Sequence, residues 1–396
     1  MFRKLIQFIH LLPLYWAISG LFIINNGDKI LVTLIIISLA TKLIFHLFDD
    51  TENIVFDFNN MVGIVFICAI YASLKYYQTG YSSSEIRVLI STAIYSLISL
   101  PKNIRYKSLI FVITLSSIYI SYQTINIIEI KNLSRMRLPL NAIPYANYTG
   151  LLSIIALYLS YISTNRLLSV LSALSFILLS INVILIDTRG TWLALIAVYI
   201  TIIALIFIKK RSWKLTLISL LLFTIVIALI YPVIESRVDR SMKEVALLEK
   251  GNLNSSWGIR VQLWTAGYDI IKTEKSWLGL GQTKHLELIQ EMYKKGEVKK
   301  SLARFDNKNF HNSIIDRTVK YGFIGLILYI GVLVIPFIYG IKNFNSDHSS
   351  LLIVMPVFIF VAGLSYVPLA HPGTYFLYLL TSIFLINKLK ADRTHA

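Results

Sequence analysis

Apolar stretches, most of them close to twenty residues long, follow one another along nearly all of this chain, and nothing else in the sequence limits its folding as severely. They fall near residues 5–24, 30–48, 54–74, 87–100, 108–129, 145–163, 167–186, 191–208, 214–235, 319–340, 350–368 and 373–388. A stretch of about twenty apolar residues matches the hydrocarbon thickness of a bilayer when helical. A water-soluble core could not bury so many, whereas lipid solvates them. The composition agrees: 56% of residues are hydrophobic and only 15% charged, with a mean hydropathy of +0.67. Alternating ten-residue patterns of an outer-membrane barrel are absent, so the expected fold is an all-α polytopic membrane protein. It should have about twelve transmembrane helices and one large hydrophilic loop.

The formal charge of +17 raises the possibility of nucleic acid, but its distribution points to membrane topology. Twelve spans put both termini on one side. With that side cytoplasmic, the inner segments 2–4, 101–107, 164–166, 209–214, 342 and 388–393 hold 14 Lys and Arg residues, against seven in the short outer loops. Lys and Arg favour the cytoplasmic side, so the bias sets the orientation. The acidic turn Asp49, Asp50, Glu52 then lies inside. No nucleic-acid partner is expected. Cys68 is the only cysteine, which excludes an intrachain disulfide and a Cys-based metal site. The basic start Met1-Phe2-Arg3-Lys4 before an apolar run has no small-residue cleavage site, so it reads as an uncleaved first helix. Three regions follow: spans one to nine over 1–235, an outer loop over 236–310, and spans ten to twelve with a cytoplasmic tail over 311–396.

The loop carries fourteen Lys and Arg against nine Asp and Glu. Long loops translocate whatever their charge, so the excess marks either a solvated face or an anionic ligand near the outer leaflet. Ile259 to Thr273 reads as an amphipathic helix capped by Ser255 or Ser256, and Gln282 to Lys295 as a second one stopped by Gly296. The two would lie along the membrane surface as a roof over the spans.

Transport pathways place ionisable residues near the bilayer midplane. Here Lys42 and Asp57 lie nearer span ends, and the distinctive polar residues gather at the outer rim. Asp187-Thr-Arg-Gly-Thr191 would put Arg189 and Gly190 at a helix N-terminus behind a Thr188 cap. Free N–H groups there suit a phosphate, although a tight turn with Arg189 at the headgroups fits equally well. Arg260 would open the loop helix in Trp257-Gly-Ile-Arg260-Val-Gln-Leu-Trp264. Its charge opposes the helix dipole unless an anion binds, and an ordinary surface arginine is the alternative. His311, in Phe310-His311-Asn312, precedes span ten. A helix N-terminus keeps an imidazole neutral and able to take a proton, but a capping role is the commoner one. Arg135 and Arg137, before span six, add charge at the same rim. No His-Glu-x-x-His, Cys/His pair or Gly-x-Ser-x-Gly elbow is present.

Asp187-Thr-Arg-Gly-Thr-Trp192 opening a span, Gly258-Ile-Arg-Val-Gln-Leu-Trp264, Trp277-Leu-Gly-Leu-Gly281, and His311-Asn312 running into Tyr321-Gly-Phe-Ile-Gly325 form an ordered set. Together with the long loop and the twelve-span frame, the set resembles the O-antigen ligase and polymerase superfamily over about residues 180–330. The resemblance implies a GT-C-like, metal-independent inverting glycosyltransferase of the bacterial inner membrane, needing no cofactor. Its donor would be an undecaprenyl-diphosphate-linked glycan used at the periplasmic face. For a ligase, the acceptor would be the lipid A–core of lipopolysaccharide. Carried over by position, Arg189 and Arg260 would bind the carrier diphosphate, with Arg137 as a further basic residue, and His311 would act on the acceptor hydroxyl. Some relatives have an acidic residue near the outer end of span eleven; here Gly363-Leu-Ser-Tyr-Val-Pro-Leu-Ala-His371 contains none.

The chemistry of the residues agrees with that implication. Arg holds a diphosphate leaving group bidentately without a metal, a neutral His serves as base, and an isoprenoid carrier accounts for a site at the membrane rim. The expected function is therefore an O-antigen ligase, with a repeat-unit polymerase of the same superfamily as the rival. A transporter or flippase is the rival from another class.

Overall fold

The computed structural model describes residues 2–21, 24, 26–48, 59–98, 106–229, 231–274, 277–304 and 309–394. The Asp49, Asp50, Glu52 turn, Asp57 and the basic pair Lys102 and Arg105 lie outside these residues. The described chain is helical, without strands. Nine helices come first: α1 (Phe2–Ser19), α2 (Gly27–Phe48), α3 (Asn60–Gln78), α4 (Ser83–Ile98), α5 (Tyr106–Ile125), α6 (Ala142–Ile162), α7 (Arg166–Ile186), α8 (Arg189–Lys210) and α9 (Trp213–Leu229). The hydrophilic segment holds α10 (Tyr231–Glu249), α11 (Ser256–Glu274), α12 (Lys284–Lys294) and α13 (Lys300–Ala303). Three more close the chain: α14 (Ser313–Lys342), α15 (His348–Gly363) and α16 (Pro372–Thr394).

A helix overlaps each of the twelve apolar windows. Among the described residues, six helices are long and apolar enough to cross a membrane by themselves: 60–78, 106–130, 142–162, 166–186, 189–210 and 313–342. The surface they present fits lipid rather than water. On α7, Leu167, Val170, Leu174, Ile177 and Ile181 are exposed at helical spacing, an apolar stripe that water would penalise and acyl chains would not. The chain is thus a multi-pass membrane protein in its helical content and surface character.

Helix α6 is the hub, with nearly all of its apolar window buried. Ala142, Ala146, Gly150, Ser153 and Ala156 place small side chains along it, which lets neighbouring helices approach closely. Polar side chains then bond between helices, where an unmet group would be costly. Ser172 Oγ donates to the Ala156 carbonyl at 2.8 Å, Thr191 Oγ1 to Asn147 Oδ1 at 2.7 Å, and Tyr148 Oη to the Ala17 carbonyl at 2.6 Å. A buried pair, Arg317 with Glu85 at 2.5 Å, ties α14 to α4.

The hydrophilic segment is more ordered than its sequence suggested. The first loop helix is α11, whose start is capped by Ser255 Oγ accepting from the Gly258 N–H at 3.0 Å. The second is α12, followed by Gly296 at φ +78°. Two helices were not expected, α10 and the short α13. The ninth apolar window, drawn to residue 235, masked α10, which begins at Tyr231.

One join fixes this segment to the frame. At 30 residues, α14 is about 45 Å long, more than a bilayer needs. It is broken at Gly322, with φ 67° and ψ −173°. Across the break, the N–H groups of Leu280 and Gly281 donate to the carbonyls of Val319 and Lys320 at 2.9 and 2.8 Å, and Ile324 N–H donates to the Trp277 carbonyl at 3.3 Å. The motifs Trp277–Gly281 and Tyr321–Gly325 are therefore two halves of one clamp. Tyr321 completes it: its ring stacks on Tyr81 with centroids 3.9 Å apart, and its hydroxyl donates to Gln282 Oε1 at 2.8 Å.

Candidate functional site

At the junction of α7 and α8, Asp187 adopts a left-handed conformation, φ 57°, and ends one helix so that the next starts at Arg189. Thr188 stands at the N-cap position, as expected, but its side chain makes no capping bond. Gly190 packs so close to the turn after α15 that a Cβ there would meet Ser365 Oγ at 2.0 Å. Close packing against protein therefore accounts for that glycine.

Arginines converge on this junction from three directions. Arg237 and Arg240 of α10 pair with Asp187 Oδ2 at 2.8 and 3.4 Å. Arg135 reaches it at 3.8 Å and donates to the carbonyls of Ile186 and Asp187. Arg189 pairs with Glu244 of α10, and the other Glu244 oxygen accepts the Trp257 N–H at the start of α11, 3.2 Å away. Burial opposes the ionised form of Glu244, but Arg189, the Trp257 N–H and Arg237 together outweigh it and hold the carboxyl below its usual range.

The positive charge is only partly matched. The Nε and Nη1 of Arg189 and the Nε of Arg237 are buried with no hydrogen-bond partner among the described residues. Arg260, one turn into α11, forms no ion pair or hydrogen bond among them, and burial followed by the charge of Arg189 depresses its pKa. Buried guanidinium donors without acceptors are costly, and an arriving anion relieves that cost.

His311 sits beside this cluster, near enough that Arg260 acts on it. Burial first, and then Arg260, push its imidazole down to about 4, with Asp316 opposing. The ring is therefore neutral near pH 7. Its backbone is left-handed, φ 51°, which costs a non-glycine residue about 1–2 kcal/mol. Several bonds hold the turn there. Asp316 Oδ1 accepts the Phe310 N–H at 3.1 Å and Lys320 Nζ at 2.9 Å. Asn309 Oδ1 accepts the His311 N–H at 3.1 Å. Asn312 caps α14 through the N–H groups of Ile314 and Ile315.

The turn between α15 and α16 supplies the far wall. The Tyr366 ring meets the His311 ring in a T, centroids 5.3 Å apart, and its hydroxyl lies 3.0 Å from His371 Nε2. Ser313 Oγ donates to the Tyr366 carbonyl at 3.2 Å, and Asn312 Nδ2 to the Leu364 carbonyl at 3.2 Å.

The structure thus brings together Arg189, Arg260 and His311, which are 51 or more residues apart in sequence. Arg137 is exposed on its short helical turn, and Arg135 is the residue of that pair that joins the cluster. Arg237, Arg240 and Glu244 escaped sequence reasoning because no helix was expected there. Their spacing of three and four residues was the available signal. Tyr366 and His371 carried no local signal, since only the fold sets them against His311. Among the described residues, no group of three or more His, Cys, Asp or Glu side chains could hold a metal ion.

Residues 174–330, which contain all three convergent residues, match the family model described as O-antigen ligase. A protein of Haemophilus influenzae described as uncharacterized is 30% identical over 165 residues, 40% of each chain. The chain therefore matches well under half the length of that relative.

Proposed function

Residues 174–330 make the chain a member of the O-antigen ligase and polymerase superfamily, and on that premise we propose that it is an O-antigen ligase. It transfers O-antigen glycan from undecaprenyl diphosphate to a sugar hydroxyl of the lipid A–core, by inversion and without a metal. The reading places twelve spans in the inner membrane, both termini in the cytoplasm, and the Arg189, Arg260, His311 cluster at the periplasmic rim.

One observation supports it above the others: buried guanidinium donors of Arg189 that lack acceptors, with Arg260 close enough to feel its charge, beside a neutral imidazole. A diphosphate ester is an anion that can occupy such a site, and its departure needs its growing charge held. The acceptor oxygen attacks the anomeric carbon opposite the diphosphate, and His311 takes the hydroxyl proton as the new C–O bond forms. The bond to the diphosphate breaks, and its electron pair leaves with the carrier on Arg189 and Arg260. The bound donor also offsets the charge of Arg260 on His311. The imidazole then becomes more basic when a proton has to be taken.

The lipopolysaccharide profile of a deletion strain tests the assignment. A ligase deletion leaves lipid A–core unsubstituted while polymer collects on the carrier. Single repeat units on the core would instead identify a repeat-unit polymerase.

A further inference from the structure

Glu244 is the only carboxylate bound to Arg189 among the described residues. One oxygen takes the guanidinium and the other takes a first-turn N–H of α11. A guanidinium and a helix N-terminus together are what a phosphate group seeks. Glu244 thus occupies an anion seat with a side chain of the protein itself.

It fills that seat incompletely. Arg189 Nε and Nη1 are left without acceptors, and so are the indole N–H groups of Trp257 and Trp264. These two tryptophans stand one turn either side of Arg260 on α11, with rings in a T at 6.4 Å. A carboxylate has two oxygens, whereas a diphosphate ester has enough to meet several of these donors at once.

Helix α10, which carries Glu244, is lightly packed. No residue of α10 is buried, and Val238, Met242 and Val245 are exposed on it. Its side-chain ties to the site are polar, through Arg237, Arg240 and Glu244. A displaced Glu244 has a new partner at hand in Arg240, one turn back on the same helix, whose side chain is half exposed.

We propose that Glu244 is an exchange residue: it holds Arg189 and the start of α11 in the empty site, and gives up its place to the diphosphate of the lipid-linked donor. The proposal rests on the donor-binding reading above. Glu244 keeps Arg189 ordered between turnovers, and its return to Arg189 helps expel the undecaprenyl diphosphate product.

The test is binding of undecaprenyl diphosphate to the full-length protein in detergent, with melting temperature measured on the same samples. Glu244→Gln and Glu244→Ala should bind the probe roughly three- to tenfold more tightly, the size expected when one competing hydrogen bond is removed. Both should melt lower than the wild type because they lose a native ion pair. The affinity gain should vanish in an Arg189→Ala background. In turnover, the KM for the donor should fall while kcat holds or drops as product release slows. Weaker or unchanged binding in both Glu244 variants would overturn the exchange and make Glu244 a fixed support of Arg189. If Arg189→Ala and Arg260→Ala leave wild-type probe binding unchanged, the donor-site reading fails, and the exchange fails with it.

Discussion

Replacing Gly322 with alanine should do severe damage, because it sits where the two halves of the clamp meet. Its φ of 67° and ψ of −173° lie in a region that essentially only glycine occupies, so alanine there costs about 1–3 kcal/mol before any contact is counted. The new Cβ would also fall 2.1 Å from the Trp277 carbonyl oxygen and 2.5 Å from the Gly279 nitrogen. Both are backbone atoms that cannot swing aside. Relieving the clash means parting the clamp and its three backbone hydrogen bonds, each worth about 0.5–1.5 kcal/mol net. The total loss is about 2.5–7.5 kcal/mol. Gly296 is the control, because its φ of +78° is similar but nothing lies within 4 Å of its Cβ position, so Gly296→Ala costs about 1–2 kcal/mol. Thermal melting in detergent should rank the two variants widely apart. Amide exchange should rise at 277–281 and 319–324 in Gly322→Ala alone. Equal melting of the two variants, with exchange in those segments unchanged, would refute the account of the clamp.

Two further outcomes follow from the cluster itself. With His311 held at about 4 by burial and by Arg260, its neutral form persists as pH falls. Normalised kcat/KM should therefore stay flat down to about pH 5 and decline only below it; in Arg260→Gln the decline should move up toward 6.5, and a wild-type limb already at 6.5 would contradict the burial argument. Arg135→Ala should lower both melting temperature and transfer, since Arg135 ties the segment before α6 to Asp187, whereas Arg137→Ala should resemble the wild type; activity and melting curves of the two variants check this, and the reverse ranking would sink it.

Much of this arrangement could be read from sequence for a simple reason. Apolar runs of membrane length and helix-opening motifs are local signals, and Arg189, Arg260 and His311 each sit in one. Ser255 as the α11 cap and Gly296 as the α12 stop were visible in the same way. What stayed hidden depends on contacts between distant segments. The clamp joins Leu280 and Gly281 to Val319 and Lys320, and neither segment alone reveals that it pairs with the other. Arg135 and Arg137 are chemically alike and two residues apart, so only the path of the chain decides which one reaches Asp187. Helix α10 was lost where an apolar window ran on into an amphipathic helix, and Glu244 was lost with it.

The most direct test of the central claim is glycan transfer by the purified full-length protein in lipid, with undecaprenyl-diphosphate-linked glycan as donor and lipid A–core as acceptor, comparing wild type with His311→Ala. If His311 takes the acceptor proton, the variant should lose about 10²–10⁴-fold in transfer rate while still binding undecaprenyl diphosphate through Arg189 and Arg260. Transfer by His311→Ala at the wild-type rate would contradict the account.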